Sequence, residues 1–238
     1  MQKKKNKKVI LLLLLPVAAA VLFLSYTGRY YRADDAARRA MEPDAAVLIT
    51  KTDYGFFFDG PSKENTLIFY PGGKVEETAY APLLHGLARE GVDVCLVKMP
   101  LRIAFLSPDK AAAVMRVQSS PHWYIGGHSL GGAVASVFAA SHPDAFDGVF
   151  FLASYPMKDL GESLPAILVN GSEDEVLDRE RYSASLELLS GDVKEYVIQG
   201  ANHAQFGSYG AQRGDGKASI TMEEQVQQTV RIVTEAIQ

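Results

Sequence analysis

The stretch HWYIGGHSLGGAVASVFAASH, residues 122–142, decides the fold. Its beginning, HWYIG at 122–126, is bulky and strand-like, and its end, LGGAVASVFAASH at 130–142, is small and helical. Between them Gly127, Ser129 and Gly131 spell G-x-S-x-G. A nucleophile elbow needs a strand, a sharp turn and a helix. The glycines let the backbone turn and let strand and helix pack closely. Ser129 would then stand at the top of a sheet, at the positive end of a helix. Five small residues carry little information alone. The strand before them and the helix after them give the motif its chemical meaning.

Working outward, TLIFY at 66–70 is a continuous apolar run ahead of Pro71, Gly72 and Gly73, the pattern of a buried parallel strand. A helix is expected over roughly 79–90, stopped by Gly91, and VDVCLVKM at 92–99 reads as the next buried strand. Ser107 and Pro108 are placed to cap and open a further helix. After the elbow come strands in DGVFFLAS (147–154), PAILVNG (165–171) and VKEYVIQG (193–200), with a helix over roughly 178–189. A last helix is expected from Thr221, with Glu224 completing a capping box and Val226, Val230, Val233 and Ile237 as its apolar stripe. AAVLIT and YGFFFDG within 45–60 predict a hairpin. Strands alternating with helices give an α/β fold: a mostly parallel central sheet with helices on both faces. Only about ten residues separate 154 from 165, too few for a large lid domain. The glycine-rich run at 207–219 reads as a loop.

A serine hydroxyl attacks only when a base takes its proton and a third group orients that base. Where an elbow is built on such a sheet, the chain order is Ser, acid, His. Of five histidines, His85 falls in a helix, His122 at the far end of the elbow strand and His142 at the end of the elbow helix, while His128 is expected to point away from the site. His203 alone follows a late strand in a loop at its carboxyl end, where catalytic groups of open α/β sheets gather. The acid should follow an earlier strand. Asp174, three residues beyond Gly171, is the first choice, Glu173 the alternative, and Glu175 and Asp178 read as solvated or capping. An oxyanion needs two backbone donors. Leu130, next after the nucleophile, supplies one, and the loop after TLIFY the other, with Gly73 preferred to Lys74.

The amino terminus has a different character. Lys3, Lys4, Lys5, Lys7 and Lys8 precede the uncharged VILLLLLPVAAAVLFLSY, 9–26. Eighteen helical residues rise roughly 27 Å, close to the thickness of a bilayer's hydrocarbon. The reading is an uncleaved transmembrane helix, with a cleaved signal peptide as the alternative. The lysines would stay cytoplasmic and the body would lie outside. The chain then divides into a lysine cluster and anchor (1–26), a juxtamembrane linker or short helix (27–45) and a catalytic domain (46–238). Without the five lysines, 19 basic residues face 28 acidic ones. Such an acidic body argues against nucleic acid as a partner. Cys95 is the single cysteine, so no internal disulfide forms, and no cysteine or histidine spacing points to a metal site.

The residues that carry the site also carry a resemblance. YPGGKV (70–75), VKMPLRIAFL (97–106), GGHSLGG (126–132), ASYP (153–156), NGSEDEVL (170–177) and GANHAQFGSYGAQRGDG (200–216) resemble the alpha/beta hydrolase superfamily, and within it the alpha/beta hydrolase fold family 5. The similarity covers roughly 65–238. It implies a Ser–Asp–His hydrolase resembling esterases and dienelactone hydrolases, mapped onto Ser129, Asp174 and His203, and it suggests that Phe206, Tyr209 and Gln212 shape the site. Dienelactone hydrolases use cysteine where this chain has Ser129, so their substrate does not carry over. The expected activity is an anchored, extracytoplasmic serine hydrolase acting on small carboxylic esters, with no cofactor. The alternatives are an acyltransferase or thioesterase with the same triad, or a binding protein on a hydrolase scaffold.

Overall fold

A computed structural model describes residues 2–237, with side chains from residue 15 onward. It divides into two compact units, 1–30 and 31–238. The first is the helix α1, Gln2–Gly28, with Pro16 inside it. Among the described residues no helix is long and apolar enough to cross a membrane. Part of the anchor expected at 9–26, residues 9–14, lies outside the described side chains, as do the five lysines.

The second unit begins before residue 46. A short helix, α2 (Asp35–Ala40), is capped by Asp34, whose side chain accepts from the N–H groups of Ala36 and Ala37. Ala33 and Ala37 are buried in the main core, so the stretch expected as a linker or short helix over 27–45 contains the helix and enters the domain from residue 31. The sheet has eight strands: β1 (Leu48–Lys51), β2 (Gly55–Asp59), β3 (Asn65–Tyr70), β4 (Val92–Val97), β5 (His122–His128), β6 (Gly148–Leu152), β7 (Ala166–Gly171) and β8 (Val193–Ile198), in the order β1-β2-β4-β3-β5-β6-β7-β8. The β1–β2 hairpin and the β2–β4 pair are antiparallel, and every other pairing is parallel.

Side chains alternate across the central strands and so divide the core in two. Leu67 and Phe69 of β3, Val94 and Leu96 of β4 and Phe150 and Leu152 of β6 face one side with α2, α3 (Ala81–Arg89) and α7 (Met222–Ile237). Ile68 and Tyr70, Cys95 and Val97, and Val149 and Phe151 face the other side with α4 (Lys110–Met115) and α5 (Leu130–Ser141). A period of two puts alternate residues on opposite faces. Strands buried on both faces therefore read as unbroken apolar runs, each large side chain contributing about 1.5–3 kcal/mol by leaving water. α6 (Arg179–Ser185) is capped by Asp178. Thr221 and Glu224 form the expected reciprocal box ahead of α7. The helix expected to open at Ser107 begins instead at Lys110, because residues 104–106 take a 3-10 turn and Ser107, at φ −155° and ψ 64°, is outside the helical region. Residues 153–165 join β6 to β7 with no domain inserted.

Candidate active site

All the candidate residues lie at the carboxyl ends of strands. β5 ends at His128, Ser129 takes φ 52° and ψ −126°, and α5 starts at Leu130. A left-handed backbone is costly for a non-glycine residue and persists only where its surroundings over-determine it. The Ser129 N–H donates to the Leu152 carbonyl at 2.9 Å, and the Ser154 hydroxyl donates to the Ser129 carbonyl at 2.7 Å. A Cβ at Gly131 would stand 2.1 Å from the Tyr70 carbonyl oxygen, so only glycine lets α5 pass this close to β3. Lys74, Leu101, Arg102 and Ala153 also have positive φ, so strained backbone follows four neighbouring strands, β3, β4, β5 and β6.

His203 and Asp174 meet as a buried pair, Nδ1 to Oδ2 at 2.9 Å. The other Asp174 oxygen accepts from the N–H groups of Val176 (2.9 Å) and Leu177 (2.8 Å). Burial pushes the Asp174 carboxyl up, but the His203 hydrogen bond and charge and these two N–H groups outweigh it and hold it below the usual carboxylate range. Glu173 is exposed and accepts from the Ser172 hydroxyl instead. Ser129, Leu130 and His203 line one cavity of about 390 Å³ with Phe105, Ala133, Met157, Val176 and Leu177, and an Asp178–Arg181 ion pair also borders it (3.2 Å). Gly73 lies against Leu130, its missing Cβ 2.9 Å from Leu130 Cδ2. The N–H of Gly72 donates to the Tyr80 hydroxyl and that of Lys74 to the Arg102 carbonyl. Between them, no internal acceptor is seen for the Gly73 N–H among the described residues, and the Leu130 N–H belongs to the open first turn of α5.

Three features escaped the sequence. His128 does not line the cavity, but it does not leave the site: its ring lies 4.5 Å from that of His203. Its Nδ1 is 2.8 Å from the Tyr80 hydroxyl. That hydroxyl already accepts from Gly72, so its proton goes to His128 Nδ1. Burial, and then the charge of His203, pull the His128 pKa well below its ordinary value and keep the ring neutral. The second feature is Asp215, whose carboxylate accepts from the N–H groups of His203 (3.2 Å), Ala204 (2.8 Å) and Gly216 (2.9 Å). A carboxylate beside glycines in a loop was the available signal, but composition alone reads such a stretch as flexible. The third is the location of Phe206, Tyr209 and Gln212. None of them lines the cavity with Ser129. Phe206 packs on the His128 ring at 5.7 Å, and the Tyr209 hydroxyl donates to Gln212 Oε1 at 3.1 Å.

Residues 66–227, more than half of the chain, match the family described as "Alpha/beta hydrolase family". The chain belongs to the alpha/beta hydrolase family. No curated protein sequence matches it. Among solved structures, this hydrolase is similar to a dienelactone hydrolase from Anabaena variabilis, with 14% identity, a TM-score of 0.57 and coverage of 81% of this chain and 96% of that one. Est1E from Butyrivibrio proteoclasticus is similar at 16% identity and TM-score 0.57, covering 81% and 99%. A membrane phospholipase A described as a bacterial virulence factor is similar at 14% identity and TM-score 0.61, covering 97% and 98%. At these identities the likeness is one of fold.

Proposed function

We propose that this hydrolase is a serine esterase in which Ser129, Asp174 and His203 act as a triad and Gly73 and Leu130 hold the oxyanion. The observation that carries the reading is the 2.9 Å His203–Asp174 pair, with His203 lining the same cavity as Ser129. Ser129 Oγ attacks the carbonyl carbon of an ester. His203 takes its proton through Nε2 while Asp174 holds Nδ1–H and so fixes the tautomer. The developing oxyanion is met by the backbone N–H groups of Gly73 and Leu130, for which no internal acceptor is seen among the described residues. His203 then protonates the leaving alcohol, and water, activated by the same ring, releases the acid.

The apolar walls and the direct β6–β7 connection favour small or short-chain acyl groups. Anchoring through residues 9–26, with the catalytic body outside the cytoplasm, belongs to the same proposal and rests on the apolar run and its five lysines. Nitrophenyl esters of increasing acyl length, together with fluorophosphonate labelling, test the activity. Turnover falling with chain length and a label on Ser129 are expected. No labelling would return the chain to a non-catalytic binding role. For the topology, amino-terminal sequencing and protease access in intact cells decide. A mature chain starting near Arg29 would mean a cleaved signal, and a protected body the opposite orientation.

A further inference from the structure

The triad chemistry makes no use of residues 31–34, yet they touch both halves of the site. Tyr31 bridges to Val75 in parallel. Its N–H donates to the Lys74 carbonyl at 2.8 Å, and its carbonyl accepts the Glu76 N–H at 2.8 Å. The Ala33 N–H donates to Glu76 Oε2 at 3.1 Å. The loop carrying Gly73 is thus stitched from outside just after its left-handed residue, Lys74. One residue beyond Ala33, the same segment reaches the histidine side. The Asp34 N–H donates to the Ser208 carbonyl (3.0 Å), and the Ser208 hydroxyl donates to Asp34 Oδ1 (2.7 Å). The Tyr31 hydroxyl accepts the Arg213 N–H at 3.2 Å, and its ring packs against Tyr209 at 5.4 Å.

A loop with a positive-φ residue holds one conformation only where its partners over-determine it. Here the Lys74 N–H is held by the Arg102 carbonyl, while the Lys74 carbonyl and the Glu76 N–H and carboxylate are held by residues 31–33, a segment fixed in turn to 208–213. We infer that residues 31–34 form a positioning strap, with Tyr31, Asp34 and Glu76 setting the Gly73 N–H against Ser129 and His203. The inference rests on the oxyanion role proposed for Gly73. The strap touches no substrate; it acts through the loop it holds.

Full-length Tyr31→Ala, Asp34→Ala, Glu76→Ala and Glu76→Gln test it. In the alanine variants, kcat on a short-chain nitrophenyl ester and the rate of fluorophosphonate inactivation should fall together by about tenfold, since a misplaced group near the chemistry costs up to about 10²-fold. KM should stay within about twofold. Glu76→Gln keeps an oxygen acceptor for Ala33 and should restore most of the loss. Folded variants with unchanged kcat, or with only a lower melting temperature, would overturn the strap. If Tyr31→Ala does not fold, the Glu76 pair decides. Hydrogen exchange of the 72–76 amides gives a readout independent of turnover, expected to quicken in Glu76→Ala. Unchanged exchange would overturn the strap even if the wild type proved inactive, and wild-type inactivity would overturn only the esterase reading.

Discussion

The Ser129 elbow and the His203–Asp174 pair are held by different physics. On the nucleophile side the constraint is steric. Strand, turn and helix come so close that Gly131 has no room for a Cβ, and Ser129 is forced to φ 52°. On the histidine side the constraint is polar and distributed. His203 and Ala204 hang by their N–H groups from Asp215, Asn202 and Gln225 exchange amide hydrogen bonds (3.1 and 2.9 Å), and the Asn202 amide reaches the Gly216 carbonyl (2.8 Å). A steric constraint fails all at once. A hydrogen-bonded one loses its bonds one by one, so damage on the two sides should differ in grain as well as in size.

The largest effects test whether both sides serve one reaction. Ser129→Ala should lower kcat by on the order of 10⁶-fold with the fold intact, the scale of losing a nucleophile. Esterase turnover undiminished in that variant would end the comparison. Asp174→Asn should lose about 10⁴-fold, because the imidazole tautomer is no longer fixed. Glu173→Gln should change little, as Glu173 is exposed and accepts from Ser172, while His203 pairs with Asp174. If Glu173→Gln proved the more damaging, the acid would be misassigned.

A smaller effect probes the grain of the histidine side. Asp215→Ala frees three N–H groups around His203 and should cost between about tenfold and 10²-fold in kcat with KM nearly unchanged. Asp215→Asn keeps one acceptor oxygen and should fall between it and the wild type. Equal kcat in all three proteins would show that the loop holds itself without Asp215. A kcat loss in Asp215→Ala as deep as that of Ser129→Ala would make the histidine side as brittle as the elbow.

The same contrast explains what could be read in advance. The elbow lies within one stretch of chain, and its glycines mark close approach wherever they occur, so Ser129 and Leu130 stand out in the sequence. The parallel strands stand out as well, since burial on both faces leaves unbroken apolar runs such as VDVCLV. His203 is found by elimination, because a strand's carboxyl end precedes it. Asp215, His128 and residues 31–34 are not found, since each acts through a partner distant in sequence: Asp34 meets Ser208 across 174 positions and His128 meets Tyr80 across 48. No local pattern records such a partner. A polar run before β1 therefore looks like a linker, and a glycine-rich loop looks flexible.

The smallest effect concerns stability, and it falls where the two sides touch. His128 belongs to the elbow by sequence and to His203 by contact. It is fully buried, and its pKa is well below the ordinary value of about 6.5 because burial, then His203, disfavours its charge. In the unfolded chain it protonates near that ordinary value, whereas in the folded protein it stays neutral to much lower pH. The unfolded state therefore binds more protons in the interval between, and stability falls as pH drops below about 6.5, by up to about 1.4 kcal/mol per pH unit from this one group. His85, lowered by its own burial against the pull of Asp44, adds in the same direction. Asp174, held low, loses its contribution only as pH falls below the usual carboxylate range, so the two windows separate. Urea unfolding of the wild type between pH 7.5 and 5 should show the histidine slope. His128→Gln keeps an oxygen to accept the Tyr80 proton but cannot titrate, and should flatten most of it. A wild type of constant stability over that range would overturn the lowered His128 pKa and the neutral contact it makes between the two sides.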